Sequence, residues 1–285
     1  MSARRLLTLV LLLAPALAVL VGFFFVPLLR LVAISFFRYS PTEIWIETFT
    51  VENYARFGGQ YYLHVLVTTL IVAFSVTIVC ILLAYPFAYF LARIPERKLG
   101  PYLFVLVSPL MMSSVVLVLG WVVILGPHGP VADTLSVLGL GTVKLLYTKG
   151  AIVIGLSELL LPFMVLPLMS ALENIHPSLE EAAQNLGAGS VERFRRVIWP
   201  LSRPGLVSGS LLVFSIALGS LVVPALLGAP RDAMLGNVVY EEVMNSLNWP
   251  FASAVGMILL AGTTGLMTAY LRVRRGRGSF RTARR

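Results

Sequence analysis

The chain has 285 residues, of which 58% are hydrophobic and only 12% charged, with a formal net charge of +9. A soluble domain carries about 25% charged residues, and the apolar residues here run in unbroken blocks, which excludes a water-soluble globule and points to helices bathed in lipid. The basic excess is no nucleic-acid footprint either: it is spread over several loops and a tail, with no soluble module to carry it.

Six blocks reach the length of about 20 residues that spans about 30 Å of hydrocarbon. They run over Leu6–Phe37, Leu63–Leu91, Tyr102–Leu125, Ala151–Leu172, Leu206–Leu227 and Phe251–Leu271. No membrane-length segment alternates in polarity as a barrel strand does, and helices satisfy their own backbone in lipid. The expected fold class is therefore an all-α polytopic membrane protein with six transmembrane helices. In the first block, Arg4 and Arg5 before LLTLVLLLAPALA have the look of a signal peptide, with Ala16 and Ala18 as small residues near a cleavage point. The apolar run continues to Leu29, so the block reads as an uncleaved helix; Arg30 lies inside it. Residues 38–62, RYSPTEIWIETFTVENYARFGGQYY, are broken by Pro41 and Gly58-Gly59, and their aromatic content suits a segment lying at the membrane surface.

The second block contains Cys80, the only cysteine, which can form no internal disulfide and reads as a small hydrophobe. His64, His128 and His176 stand on three separate segments without metal-ligand spacing. The nearest approach to a phosphate-binding loop, GLGTVK at 139–144, has the wrong spacing, so the chain has no means of hydrolysing ATP by itself. Glu158 sits inside the fourth block, where a charge costs about 2.5–3.5 kcal/mol at the bilayer centre and such residues face the bundle interior. Two readings stand for it: lining a path for a cationic substrate, or pairing with Arg30, Ser157 or a backbone group. Tyr85, Tyr89, Ser113 and Trp121 are candidates for the same path, with packing or interfacial anchoring as the alternative. Prolines inside the blocks (Pro15, Pro27, Pro86, Pro109, Pro162, Pro167 and Pro224) imply kinked helices, which fit a transporter and many other membrane proteins.

Between the fourth and fifth blocks, residues 173–203 form the one sizeable polar loop on its side of the membrane, including EEAAQNLGAGSVERFRRVIWPLSRPG at 180–205. The local chemistry predicts two short helices. Ser178 and Glu181 have capping-box spacing, and Gly187 offers the left-handed turn that ends the first helix. Ser190 is placed to cap a second, VERFRRVI, which Pro200 ends. Ala182, Ala183, Gly187, Ala188 and Gly189 give a surface of little bulk, and Phe194 and Val197 form an apolar knob among Arg193, Arg195 and Arg196. Such a surface suits docking better than catalysis. Gly205 and Gly209 open the fifth block as a G-x-x-x-G pair, a signature of close helix contact. Val238, Val239, Val243 and Leu247 recur at helical spacing in the following loop.

Orientation follows from the loop cations. Arg4, Arg5, Arg93, Arg97, Lys98, Arg193, Arg195, Arg196, Arg203 and the tail arginines share one side and make up most of the 22 basic residues. The other side has Arg30, Arg38, Arg56, Lys144, Lys149 and Arg231. By the positive-inside rule, both termini and the polar loop face the cytoplasm.

Glu181-Ala182-Ala183, Gly187 six residues after the glutamate, Val197 ten after the glycine and Pro200 three later resemble the EAA loop of ABC-importer permeases. Leu186, Ala188, Leu201, Pro204 and Gly205 agree with it, while Trp199 and Val197 depart from the commoner leucine and isoleucine but stay apolar. AYPFAYFLAR at 84–93, SPLMMSSVVLVLGWVVILG at 108–126, LPFMVLPL at 161–168 and LGNVVYEEVMNSLNWPFASA at 235–254 are similar to the spermidine/putrescine (polyamine) branch of that family. The resemblance implies a type I importer permease fold in the cell inner membrane. Residues 1–62 would hold the first helix and an outer loop, 63–272 the permease core with its coupling loop at 173–203, and 273–285 a basic cytoplasmic tail. It implies an ABC ATPase dimer that binds ATP and magnesium, a second permease subunit that is a related sibling, and a periplasmic solute-binding protein. This chain is then not itself an enzyme and holds no cofactor. Glu181, Ala182, Ala183, Gly187, Ala188, Phe194, Val197 and Pro200 become the residues that dock into the ATPase, and the second permease is one candidate for the Gly205–Gly209 contact. The alternative is an ion-gradient-driven secondary carrier, which would show paired broken helices in two repeat halves and more intramembrane charge.

Overall fold

The computed structural model describes residues 13–15, 17–137, 139 and 144–282; Arg4 and Arg5 lie outside the described residues, as do the side chains of 135, 269–271 and 273–285, which include most of the basic tail. Among the described residues six helices are long and apolar enough to cross a membrane: Leu13–Ser35, Gln60–Leu91, Ser114–Thr134, Lys149–Glu173, Ser190–Leu218 and Trp249–Thr268. In chain order we name α1 (Leu13–Ser35), β1 (Phe37–Ser40), β2 (Ile44–Phe49), α2 (Glu52–Phe57), α3 (Gln60–Leu91), α4 (Glu96–Met111) and α5 (Ser114–Leu125). They are followed by α6 (Pro130–Val137), α7 (Lys149–Glu173), α8 (Pro177–Asn185), α9 (Ser190–Leu218), α10 (Val222–Leu227), α11 (Leu235–Met244) and α12 (Trp249–Thr282). Among the described residues the fold is all-α apart from one two-stranded sheet, and the chain divides into two compact units, residues 64–237 and residues 1–63 with 238–285.

The unit of residues 64–237 is organised around the antiparallel packing of α7 against α9. Glycines make the close approach possible. A Cβ on Gly209 would lie 3.1 Å from the Met164 backbone, and one on Gly205 would lie 2.5 Å from the Pro167 carbonyl oxygen. The G-x-x-x-G pair is thus used within the chain, between its own fourth and fifth membrane helices. Near the Lys149 end, Gly155 does the same for α10, since a Cβ there would meet Leu227 at 2.7 Å and Val223 at 3.1 Å. Val72, Ala73, Val76 and Cys80 of α3 and Ile152, Leu156, Leu160, Met164 and Leu168 of α7 are fully buried.

Two of the apolar blocks are not single helices. The block Tyr102–Leu125 breaks at Met112 and Ser113, both in extended conformation, dividing α4 from α5. Pro109 has no N–H to contribute to the last turn of α4, and Ser113 makes no side-chain cap. The block Leu206–Leu227 is interrupted at Gly219–Leu221 between α9 and α10. Here Pro224 has no N–H for the Ser220 carbonyl four residues back, and the Asn237 side chain donates to the Leu221 carbonyl at 3.2 Å. The helical spacing seen after the fifth block becomes α11, although Leu247 lies beyond its end with a φ of 52°.

In the other unit, α1 packs against α12, and the segment read as an interfacial loop is a hairpin followed by α2. β1 and β2 pair antiparallel with Tyr39 opposite Trp45 and Ser40 opposite Ile44, across a turn in which Ile44 takes a φ of 68°. Asn53 of α2 donates to the Ser35 and Phe37 carbonyls, both at 2.9 Å, tying the end of α1 to the first strand. The Arg56 guanidinium donates to Glu242 at 2.8 Å and lies 4.2 Å over the ring of Phe251, which is fully buried. Tyr62 adds a hydrogen bond to the same carboxylate at 3.3 Å.

Candidate functional site

The polar loop folds as the predicted elbow of two helices, but it is built differently at three points. α8 begins at Pro177, whose fixed φ and missing N–H suit the first helical position. The cap therefore falls on His176, whose Nδ1 accepts from the Ser178 backbone N–H at 3.3 Å; the capping box predicted for Ser178 and Glu181 does not form. At the other end Gly187 takes a φ of +84°, the Ala188 N–H reaches the Ala183 carbonyl at 3.0 Å and the Gly187 N–H the Gln184 carbonyl at 2.9 Å. This is the Schellman closure that the glycine predicts.

The second arm starts with Ser190 already inside the helix and Gly189 at the cap position, so Ser190 makes no capping bond. Pro200 does not terminate it. A wider turn over Phe194–Ile198, in which the Trp199 N–H bonds to the Phe194 carbonyl, takes the chain past Pro200 and Pro204 without a break. Such π-turns shift the hydrogen-bond register and so accommodate residues that cannot donate. The elbow's second arm and the fifth membrane helix are consequently one rod, α9.

The corner is open. Glu181, Ala182, Gly187 and Pro200 are exposed, and Ala183, Ala188 and Val197 are half-buried. Leu186 and Val191 are the most exposed apolar side chains there, at 88% and 72%, whereas Phe194 at 36% turns its ring onto Tyr85 (5.2 Å) and Trp199. The apolar knob expected from Phe194 and Val197 is thus carried further out, by Leu186 and Val191. Arg193 crosses between the arms and donates to Gln184 at 3.0 Å.

Two polar contacts fasten the elbow to α3 and to the turn that follows it. Arg93 forms an ion pair with Glu180, their side chains 24% and 12% exposed, and also donates to the Leu172 carbonyl at 3.4 Å. Tyr89 donates to the other oxygen of Glu180 at 2.9 Å. Tyr85, buried, shares a 2.6 Å hydrogen bond with Ser202. Beside them lies an apolar cavity of about 610 Å³ lined by Leu82, Pro86, Phe194 and Trp199 among others. Sequence reasoning missed Glu180 and the structural use of Arg93; nothing in a linear reading pairs residues so far apart.

The five path candidates fall in three places. Tyr85 and Tyr89 belong to the elbow's footing. Ser113 is exposed at the break between α4 and α5. Trp121 and Glu158 are brought together: the indole Nε1–H of Trp121 donates to Glu158 Oε2, both residues half-buried. Of the pairing partners expected for Glu158, Ser157 is not used, since its Oγ is buried without a hydrogen-bond partner among the described residues.

A family model for the inner membrane component of binding-protein-dependent transport systems matches residues 84–277, the elbow included. The spermidine/putrescine transport system permease protein PotB of Salmonella typhimurium is 38% identical over 250 residues, 87% of each chain. PotB of Escherichia coli K12 is 35% identical over 258 residues, covering 90% of this chain and 94% of that one. The crystal structure of a bacterial ABC transporter that imports alginate contains a chain with the same fold, at a TM-score of 0.69 and 19% identity, covering 95% of this chain and 96% of that one. The chain belongs to the family of inner-membrane permease components of binding-protein-dependent ABC importers.

Proposed function

We propose that this chain is one of two permease subunits of an ATP-driven importer for a polyamine or a similar cationic amine, with its elbow facing the cytoplasm and receiving force from an ABC ATPase dimer. The substrate class rests on the likeness to spermidine/putrescine permeases over most of both chains. The distribution of loop arginines supports the orientation. ATP and magnesium belong to the ATPase, a periplasmic binding protein delivers the solute, and a sibling permease completes the pathway.

The observation that carries the coupling role is the continuity of α9 from the exposed corner into the membrane. A push on Gly187 and its small neighbours moves a rod that is locked by glycines to α7, so displacement at the corner is delivered to two membrane helices together. The Arg93–Glu180 pair and Tyr89 extend the same displacement to α3. Docking itself uses Glu181, Ala182, Ala183, Gly187 and Ala188 with Leu186 and Val191 as apolar contacts, while Phe194, Val197 and Pro200 support the second arm.

Glu181→Lys and Gly187→Asp test it. Each is expected to abolish uptake and reduce co-purification of the ATPase while the permease remains in the membrane. Wild-type uptake with normal ATPase recovery in both variants refutes the coupling role. Gradient-driven uptake by the chain alone, reconstituted without an ATPase, establishes the secondary carrier instead.

A further inference from the structure

Glu158 is a carboxylate about 13 Å along α7 from its Lys149 end, at about 1.5 Å per residue. Its hydrogen bond comes from a neutral donor, the Trp121 indole, and among the described residues it forms no ion pair within 4.0 Å. A carboxylate at membrane depth is held in place by a counter-charge or by an aqueous path. Here the chain supplies a partner that orients the carboxylate without neutralising it.

The backbone around it is irregular at the same level. Gly155 of α7 abuts Val223 and Leu227 of α10, and Met164 of α7 abuts Gly209 of α9. Glu158 lies between the first pair of contacts and the second, and so does the interruption at Gly219–Leu221 between α9 and α10. The antiparallel pairing therefore sets Glu158 level with a broken helix. Non-helical backbone at membrane depth occurs where it is buried in protein or lines a cavity, and discontinuous helices frame solute sites in transporters of other classes.

We propose that Glu158 and Trp121, at the level of the break at Gly219–Leu221, form an intramembrane subsite for an aliphatic ammonium group of the transported solute. The carboxylate supplies the counter-charge, and the indole, by donating to Oε2, fixes its orientation and leaves Oε1 for the ammonium. An indole face also attracts an ammonium ion through its quadrupole. A single carboxylate holds one ammonium at a time, so a polyamine passes by handing successive nitrogens across it. The proposal rests on the reading of the solute as a cationic amine.

The test uses the complete importer in proteoliposomes, with radiolabelled putrescine and spermidine and equal amounts of assembled complex. Glu158→Gln is expected to lower uptake of both about tenfold, which is about 1.4 kcal/mol of lost transition-state stabilisation, while ATP hydrolysis stimulated by loaded binding protein persists. Glu158→Asp should recover most of the uptake, and Trp121→Phe should lose less than Glu158→Gln. Wild-type uptake by Glu158→Gln overturns the subsite alone, as does an equal loss in Glu158→Asp or a loss that tracks a fall in assembled complex. Wild-type vesicles that take up neither polyamine overturn the substrate reading, and the subsite with it.

Discussion

Two half-buried carboxylates of the same unit are served in opposite ways. Glu180, at the elbow, meets the full charge of Arg93 and the hydroxyl of Tyr89, so both its oxygens are occupied. Glu158, within the membrane span, receives one N–H from Trp121. A carboxylate matched by a fixed cation is a mechanical joint, because separating the pair exposes uncompensated charge. A carboxylate held by a neutral donor keeps its charge available. On the function proposed above, the difference separates the part of the molecule that transmits movement from the part that meets a solute.

The largest effect should come from disconnecting the two regions. Gly205 lies between them on α9, and a Cβ there collides with the Pro167 carbonyl oxygen at 2.5 Å, backbone that has no room to retreat. Gly205→Val is expected to cost about 3 kcal/mol or more through overpacking, seen as loss of monodisperse permease on detergent extraction. Monodisperse protein with normal uptake would show that α7 and α9 need not stay in contact. Next in size is Arg93→Ala, which turns Glu180 into a counterpart of Glu158, a carboxylate with one neutral donor. With both side chains partly exposed, about 1–3 kcal/mol of stability should be lost, and uptake per ATP hydrolysed should fall. Adding Glu180→Gln should restore stability, since the orphaned charge is gone, yet leave coupling impaired. A double variant as unstable as Arg93→Ala alone would show that Arg93 acts through the Leu172 carbonyl and not through Glu180.

The sequence made the membrane class and the elbow legible because their signals are local. Block length announces the spans, and Gly187 announces a left-handed closure that no other residue type adopts as cheaply. What misled was competition between neighbouring local signals. Ser178 is a good cap, but Pro177 and His176 take the helix start two residues earlier. Pro200 reads as a stop, yet a wide turn upstream absorbs it. The hairpin at Phe37–Phe49 went unseen because its Ile-Trp-Ile run has the aromatic, apolar character of any interfacial segment. The pairs Arg93–Glu180 and Trp121–Glu158 are products of topology, and spacing along the chain carries no trace of them.

The smallest expected effect marks where the membrane subsite ends. Ser157 is adjacent to Glu158 in sequence, and its Oγ is buried with no partner among the described residues, although its carbonyl accepts from the Cys80 thiol at 3.5 Å. Successive residues on a helix point in different directions, so this hydroxyl need not share the carboxylate's surroundings. An unsatisfied buried hydroxyl costs about 1–3 kcal/mol, and removing it leaves the backbone contact to Cys80 in place. Ser157→Ala should therefore leave polyamine uptake at the wild-type level and raise the apparent melting temperature of the detergent-solubilised complex slightly. A fall in uptake without loss of stability would mean that the hydroxyl turns toward the solute during transport, and the subsite would then extend across α7 to include both residues.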